Sequence, residues 1–104
     1  MLAGLPRDKR RPLLRNIVLT NQQDLAALDH ALAHSDHVGL AHLAHKLKTS
    51  AQMMHSDALL RLCETLENSA AEHAALSVLA AQCEAIASLV NDLNDALTAT
   101  LDAP

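Results

Sequence analysis

Apolar residues recur at steps of three and four along almost the whole chain, and that spacing is the signature of helices packed by one face. Leu14, Val18, Asn21, Leu25, Leu28 and Leu32 form one stripe. Leu40, Leu43, Ala44, Leu47, Ala51 and Met54 form a second, and Leu59, Leu60, Cys63 and Leu66 a shorter third. Leu76, Leu79, Cys83, Ile86, Val90, Leu93 and Leu97 form the fourth. Half of the 104 residues are hydrophobic, yet none is Phe, Tyr or Trp. The core must therefore be built from Leu, Ala, Val, Ile and Met, which suits closely packed helices. The chain is long enough for one domain. Connections of two to five residues make successive helices antiparallel neighbours. The expected fold is all-α, an antiparallel up-and-down four-helix bundle over residues 8–104, after a flexible lead-in over residues 1–7.

Local signals place the ends. Asp8 is read as the first N-cap, with Pro12 tolerated in the first turn. One long helix then runs to about His34, although Thr20-Asn21-Gln22-Gln23 resembles a capping box. Ser35-Asp36 caps the second helix, which ends near Met54 and is weakened at Gly39. Ser56 caps the third, with Asp57 in its first turn, and that helix is expected to end near Asn68. Ser69-Ala70-Ala71-Glu72 reads as the capping box of the last helix. Ala80 and Ala87 widen its apolar face beyond a coiled-coil seam, which favours packing within the chain over pairing with a second one.

Several function classes recede. A net charge of −4 and the absence of aromatic stacking platforms argue against nucleic acid. No apolar run is expected to approach the roughly 20 residues that span a membrane, and no signal-peptide core follows the N-terminal charges. The reading is a cytoplasmic monomer with no direct membrane contact. The basic cluster Arg7, Lys9, Arg10 and Arg11 reads as a solvated helix start. Cys63 and Cys83 do not form a disulfide framework. With a turn near Ser69 they would sit about 12 Å apart along their helices, too far to bridge.

The second helix carries the chemistry. At about 100° per residue, His45 points roughly 160° away from Leu47 and faces water. Lys48 is its helical neighbour, Thr49 and Gln52 follow on the outward side, and Val38 and Ala41 complete that face. A neutral imidazole is a good nucleophile near pH 7. A cation beside it can stabilise an added phosphoryl group, and small neighbours let a donor approach.

Ala44-His45-Lys46-Leu47-Lys48-Thr49-Ser50-Ala51, followed by Leu59-Leu60-Arg61-Leu62-Cys63-Glu64-Thr65-Leu66-Glu67, resembles the histidine-containing phosphotransfer (HPt) family. The family pattern is roughly A-H-x-L-K-G-S-A, then L-x-x-L-C-x-x-L-E about a dozen residues on. Thr49 stands where the family usually has glycine, and His55 where a second glycine is usual. The first puts a β-branched side chain one turn after His45. The second should alter only how the helix closes.

The resemblance implies a histidine phosphocarrier in a multistep phosphorelay. His45 would be the phosphoacceptor through Nε2, Lys48 would stabilise the phosphoryl group, and Gln52 is a weaker candidate for the same contact. Response-regulator receiver domains would be the partners, docking over Val38, Ala41, His42 and Thr49. Leu13 and Ile17 on the first helix would contribute if exposed, and are equally readable as core. The domain would bind no cofactor, with Mg²⁺ expected on the receiver. It has no Gly-rich nucleotide loop, so it should neither bind ATP nor phosphorylate itself. A chain of this kind stands alone or forms the cytoplasmic C-terminal part of an inner-membrane hybrid sensor kinase; the basic lead-in and the end after the last helix favour the second.

His42 is the rival acceptor, but only His45 has Lys at the third following position. The alternatives are a phosphotransfer-inactive adaptor or dimerisation module of the same fold, kept open by Thr49, and a metal-responsive bundle. Seven histidines are present, and the spacing of His30, His34 and His37 could suit zinc or nickel. Ser35-Asp36 interrupts that set, so His30, His34, His37 and His73 are read as surface polar residues and no metal site is assigned.

Overall fold

A computed structural model describes residues 7–102, with side chains from Arg11 to Thr100. Four helices fill this span: α1 Arg7–Ala33, α2 His37–Met53, α3 Asp57–Ala71 and α4 Leu76–Asp102. Each packs against its neighbour in the chain, and α1 closes the ring with α4. This is the expected up-and-down bundle. The lead-in through residue 6 and the last two residues lie outside the described residues, as do the side chains of Arg7, Lys9 and Arg10. Arg7 is already helical, so Asp8 lies within α1 rather than capping it. α1 runs without a break through Thr20.

The three connections close alike. Ser35, His55 and His73 each have φ between 51° and 55°, the left-handed region. At the end of α1, the Asp36 amide donates to the Ala31 carbonyl and that of Ser35 to Leu32. After α2, Ser56 donates to Ala51 and His55 to Gln52. After α3, Ala74 donates to Ser69 and His73 to Ala70. Each set is a Schellman closure that satisfies carbonyls the helix end would otherwise leave open. The left-handed residue is one that glycine normally supplies. His55 at the usual glycine position is thus a change in how α2 closes.

Asp36 caps α2 by accepting from the Gly39 amide at 2.9 Å. A Cβ at Gly39 would run into the Asp36 carboxylate, so the glycine that weakens the helix also makes room for its cap. Ser56 caps α3 by accepting from the Leu59 amide at 3.2 Å.

The capping box at Ser69 does not form. α3 continues through Ser69 to Ala71 because Leu66 and Ala70 extend its buried stripe. The Ser69 hydroxyl instead accepts from Gln82 Nε2 on α4 at 2.9 Å. The turn falls at Glu72–Ala75, and Leu76, at the very start of α4, is exposed rather than core. Moving the turn also removes the axial offset expected between Cys63 and Cys83, since each now lies about two helical turns from the connection. Both remain free, buried thiols.

The second expectation to change is the phase of α1. Its buried positions are Leu14, Ile17, Asn21, Asp24, Leu28 and Ala31, while Val18, Leu25 and Leu32 flank them half-buried. Asn21 stays on the buried face, and the rotation brings Asp24 in beside it. Asn21 Nδ2 donates to Asn94 Oδ1 on α4 at 3.0 Å, and Asp24 receives the Lys46 ammonium at 3.0 Å. The stripe of α2 is as expected: Leu40, Ala44, Leu47 and Ala51 are fully buried.

α4 also corrects the statement about apolar runs. Its alanine content lifts mean hydropathy to 1.2 within Leu76–Thr100, enough by length and composition to cross a membrane. In the bundle, Leu79, Cys83, Ile86 and Val90 face the core, and Glu84, Asp92 and Asp95 lie on the exposed side.

Candidate functional site

His45 lies in the middle of α2, two positions before the fully buried Leu47, and its side chain is 68% exposed. Its Nδ1 lies 3.0 Å from Glu67 Oε2 on α3. The other oxygen of the same carboxylate accepts from the Lys48 ammonium at 2.8 Å. One carboxylate therefore joins the histidine and the lysine that the helix places side by side. An ionised carboxylate can only accept, so Nδ1 is the donor in this contact, and in the neutral ring Nε2 is the nitrogen that carries the lone pair.

The electrostatics follow from this contact. The Lys48 hydrogen bond, then that of His45, hold the Glu67 carboxyl below the usual carboxylate range, so it stays ionised throughout neutral pH. The same bond raises Lys48, which remains a cation. Beneath them, burial pushes the Cys63 thiol up to about 11. That thiol is neutral at working pH and takes no part as a nucleophile.

The remaining residues of interest divide by place. Gln52 and Thr49 are exposed on α2, as are His42 and Val38, the latter at 78%. Ala41 departs from the outward placement: it is half-buried and packs against the core. Leu13 is half-buried and Ile17 buried, the latter because it belongs to the true stripe of α1. Both nevertheless line a groove of about 330 Å³ between α1 and α2, with Thr20, Lys46, Thr49 and Met53 around it. Thr49 and Gln52 border a second hollow with Met53 and His55. Thr49 thus sits on the rim between the groove and the ridge that bears His45.

Glu67 closes the sequence pattern but carried no assigned role, since its contact spans 22 residues. Its position as the final residue of the family pattern was the available signal. Asp24 was likewise missed, although its place three residues after Asn21 put it on the buried face.

Four histidines gather at the end of the bundle that holds the α1–α2 and α3–α4 connections. His30 and His34 stack with ring centroids 4.2 Å apart, and His37 and His73 at 4.8 Å. His34 and His37 each use Nδ1 on a backbone carbonyl, of His30 and Ser35. Among the described residues, no three His, Cys, Asp or Glu side chains converge as a metal-binding group.

A family model for the Hpt domain matches residues 12–102, which contain the whole of this site. The chain belongs to the Hpt domain family. Comparison with curated proteins gives no match, and comparison with solved structures gives none either. Histidine phosphotransfer in a two-component phosphorelay is the function of this family, and receiver domains are its partners. In this Hpt domain the motif histidine, lysine and glutamate meet in one hydrogen-bonded group on the α2–α3 face.

Proposed function

We propose that His45 is the phosphoacceptor, taking a phosphoryl group from a receiver aspartate and giving it to another. The observation that supports this reading is an exposed imidazole whose Nδ1 is occupied by Glu67, so that Nε2 lies outside that contact. Nε2 attacks the phosphorus in line, the N–P bond forms, and the donor carboxylate departs with the electron pair of the broken O–P bond. Lys48 shifts from Glu67 toward the added charge, and Gln52 gives a further polar contact. The receiver brings Mg²⁺ and most of the catalytic groups, and this domain binds no cofactor of its own. Phosphoryl transfer rests on positioning and charge neutralisation, so a carrier needs little more.

The receiver docks over the ridge of Val38, His42, His45 and Thr49. One of its helices lies along the groove where Leu13 and Ile17 offer apolar surface. The domain acts as a cytoplasmic monomer, with no nucleic acid and no direct membrane contact.

The test is transfer from a phosphorylated receiver to the wild type and to His45→Gln. Labelling of the wild type alone, by an acid-labile and base-stable group, is the expected result. Equal labelling of both would move the role to His42. No labelling from several receivers would leave an inactive adaptor, with Thr49→Gly the variant to restore transfer.

A further inference from the structure

We propose that the buried carboxylate of Asp24 selects which receivers dock, by requiring an uncharged hydrogen-bond donor, a carboxamide or a hydroxyl, on the partner helix that fills the groove between α1 and α2. This rests on a receiver helix lying along that groove. Asp24 is a specificity-determining residue: it takes no part in the chemistry at His45, and its role is to admit one kind of partner surface and reject others.

The groove has a polar end and an apolar end. Ile17, Thr20 and Asp24 share one face of α1, and Lys46, Thr49 and Met53 share one face of α2; all six line the groove. The Asp24–Lys46 contact at 3.0 Å fixes the register of the two antiparallel helices, so Ile17 lies level with Met53, seven residues away on each. The ion pair therefore closes the polar end, at the level of His45, which precedes Lys46 in the chain.

Lys46 satisfies only half of the carboxylate. Asp24 is 3% exposed. Its Oδ1 accepts from Lys46, but its Oδ2 is buried without a hydrogen-bond partner. Thr20, one turn earlier on the same face, does not supply one. A buried acceptor left open is costly, so this oxygen favours any arrangement that brings it a donor. The exposed, flexible Lys46 side chain can swing and let water reach Oδ2 in the free domain. A helix laid in the groove covers that route, and the donor must then come from the partner. A partner offering only apolar side chains would seal the oxygen in unpaired, which works against its docking. The charge of the donor follows from the pair. Lys46 already neutralises the carboxylate, so a second cation would be packed beside the first in a site shielded from water. An amide N–H or a hydroxyl completes Asp24 without adding charge.

The experiment measures, by isothermal titration calorimetry, the affinity of this protein for a panel of receiver domains encoded in the same genome. The receivers are unphosphorylated, so the chemistry at His45 is not read. Leu13→Glu puts a charge at the apolar end of the groove and should abolish binding of a receiver that docks there. Each Asn, Gln, Ser, Thr, Lys and Arg on the exposed helices of the tightest-binding receiver is replaced by Leu and titrated against the wild type, Asp24→Leu and Asp24→Asn. One replaced carboxamide or hydroxyl should weaken binding to the wild type about tenfold, and Asp24→Leu should weaken binding of the unaltered receiver by about the same factor. The two changes together should bind within about threefold of the original pair, since neither side then leaves a buried group unpaired. Asp24→Asn keeps an acceptor oxygen without the charge and should lose no more than about threefold. Asp24→Ala gives the same comparison if Asp24→Leu folds poorly.

Additive losses for every receiver substitution would overturn the proposal while leaving the groove as the docking site. Coupling to a Lys or Arg of the receiver, or an Asp24→Asn variant as weak as Asp24→Leu, would overturn it in favour of an ion pair between the two proteins. Unchanged binding by Leu13→Glu, or no binding by any receiver of the panel, would remove the docking reading and this proposal with it, while transfer to His45 is tested separately.

Discussion

Glu67 and Cys63 are one helical turn apart on α3, yet their surroundings set them to opposite uses. Glu67 reaches the surface, where two donors favour its charged form, and it stays ionised until pH falls below the ordinary carboxylate range. Cys63 points into the core, where burial disfavours the thiolate and pushes the thiol up to about 11. Burial likewise raises Cys83. Reactivity toward thiol reagents depends on the thiolate and on access, and both are withheld here. In the native protein at pH 7.5, neither cysteine should react with a maleimide on the timescale of a free thiol. Both should react in denaturant. Mass spectrometry after timed labelling reads this directly, and rapid native labelling of Cys63 would show that the face beneath His45 opens to solvent. Of the residue-level chemistry, the exposed His45 and its helical neighbour Lys48 were legible in the sequence because both sit on one helix. Glu67 was not, because its role depends on how α3 packs against α2.

The helices themselves were legible where local and tertiary preferences agree. In α2 the small and apolar residues Leu40, Ala44, Leu47 and Ala51 leave a single choice of inner face. In α1 the choice was between two apolar stripes, and packing selected the one that buries Ile17, Asp24 and Ala31 over the one through Val18, Leu25 and Leu32. Counting apolar residues favoured the wrong one, since a buried aspartate paired with Lys46 cannot be seen along one helix. At the α3–α4 turn a local S-x-x-E signal lost to the burial of Ala70, which continues the stripe of α3. The left-handed closures were also hidden, because non-glycine residues occupy them. They lead to a prediction at this scale. His55 has φ 55° and is exposed, with no hydrogen bond described for its side chain that a substitution would break. A left-handed non-glycine residue costs about 1–2 kcal/mol, and glycine loses part of that gain to the entropy of the unfolded chain. His55→Gly should therefore stabilise the domain by about 0.5–1 kcal/mol in urea denaturation, with the slope of the transition unchanged. A destabilised variant would mean that the imidazole makes a contact outweighing the strain.

Over the whole molecule, the described helices are unequal. α1 and α4 have 27 residues each, against 17 and 15 for α2 and α3. The outer pair therefore extends beyond the inner pair, giving extents of 46 × 20 × 17 Å. Asn21 and Asn94 meet beside Met54, the C-cap of α2, where four-helix packing gives way to two. A two-helix section built only from Leu, Ile and Val could slide by a turn at little cost, and the bundle face that carries Leu13 and Ile17 would move with it. A buried amide pair opposes such a slip, because the slipped state leaves both side chains without their partner. Removing one side of the pair should then cost more than removing both. Asn21→Leu alone strands a buried amide on Asn94 and should cost about 1–3 kcal/mol. Asn94→Leu alone should cost a similar amount for the same reason. The double variant replaces a desolvated polar pair by apolar contact and should recover the stability of the wild type or exceed it by about 1 kcal/mol. Urea denaturation of the four proteins yields the coupling energy of the cycle. Additive losses would mean that the two amides act independently and that the register of α1 against α4 is set by the apolar residues alone. Recovery of stability together with poorer dispersion of amide resonances would identify the pair as the device that fixes one alignment of the two long helices, and with it the position of the groove beside Thr49.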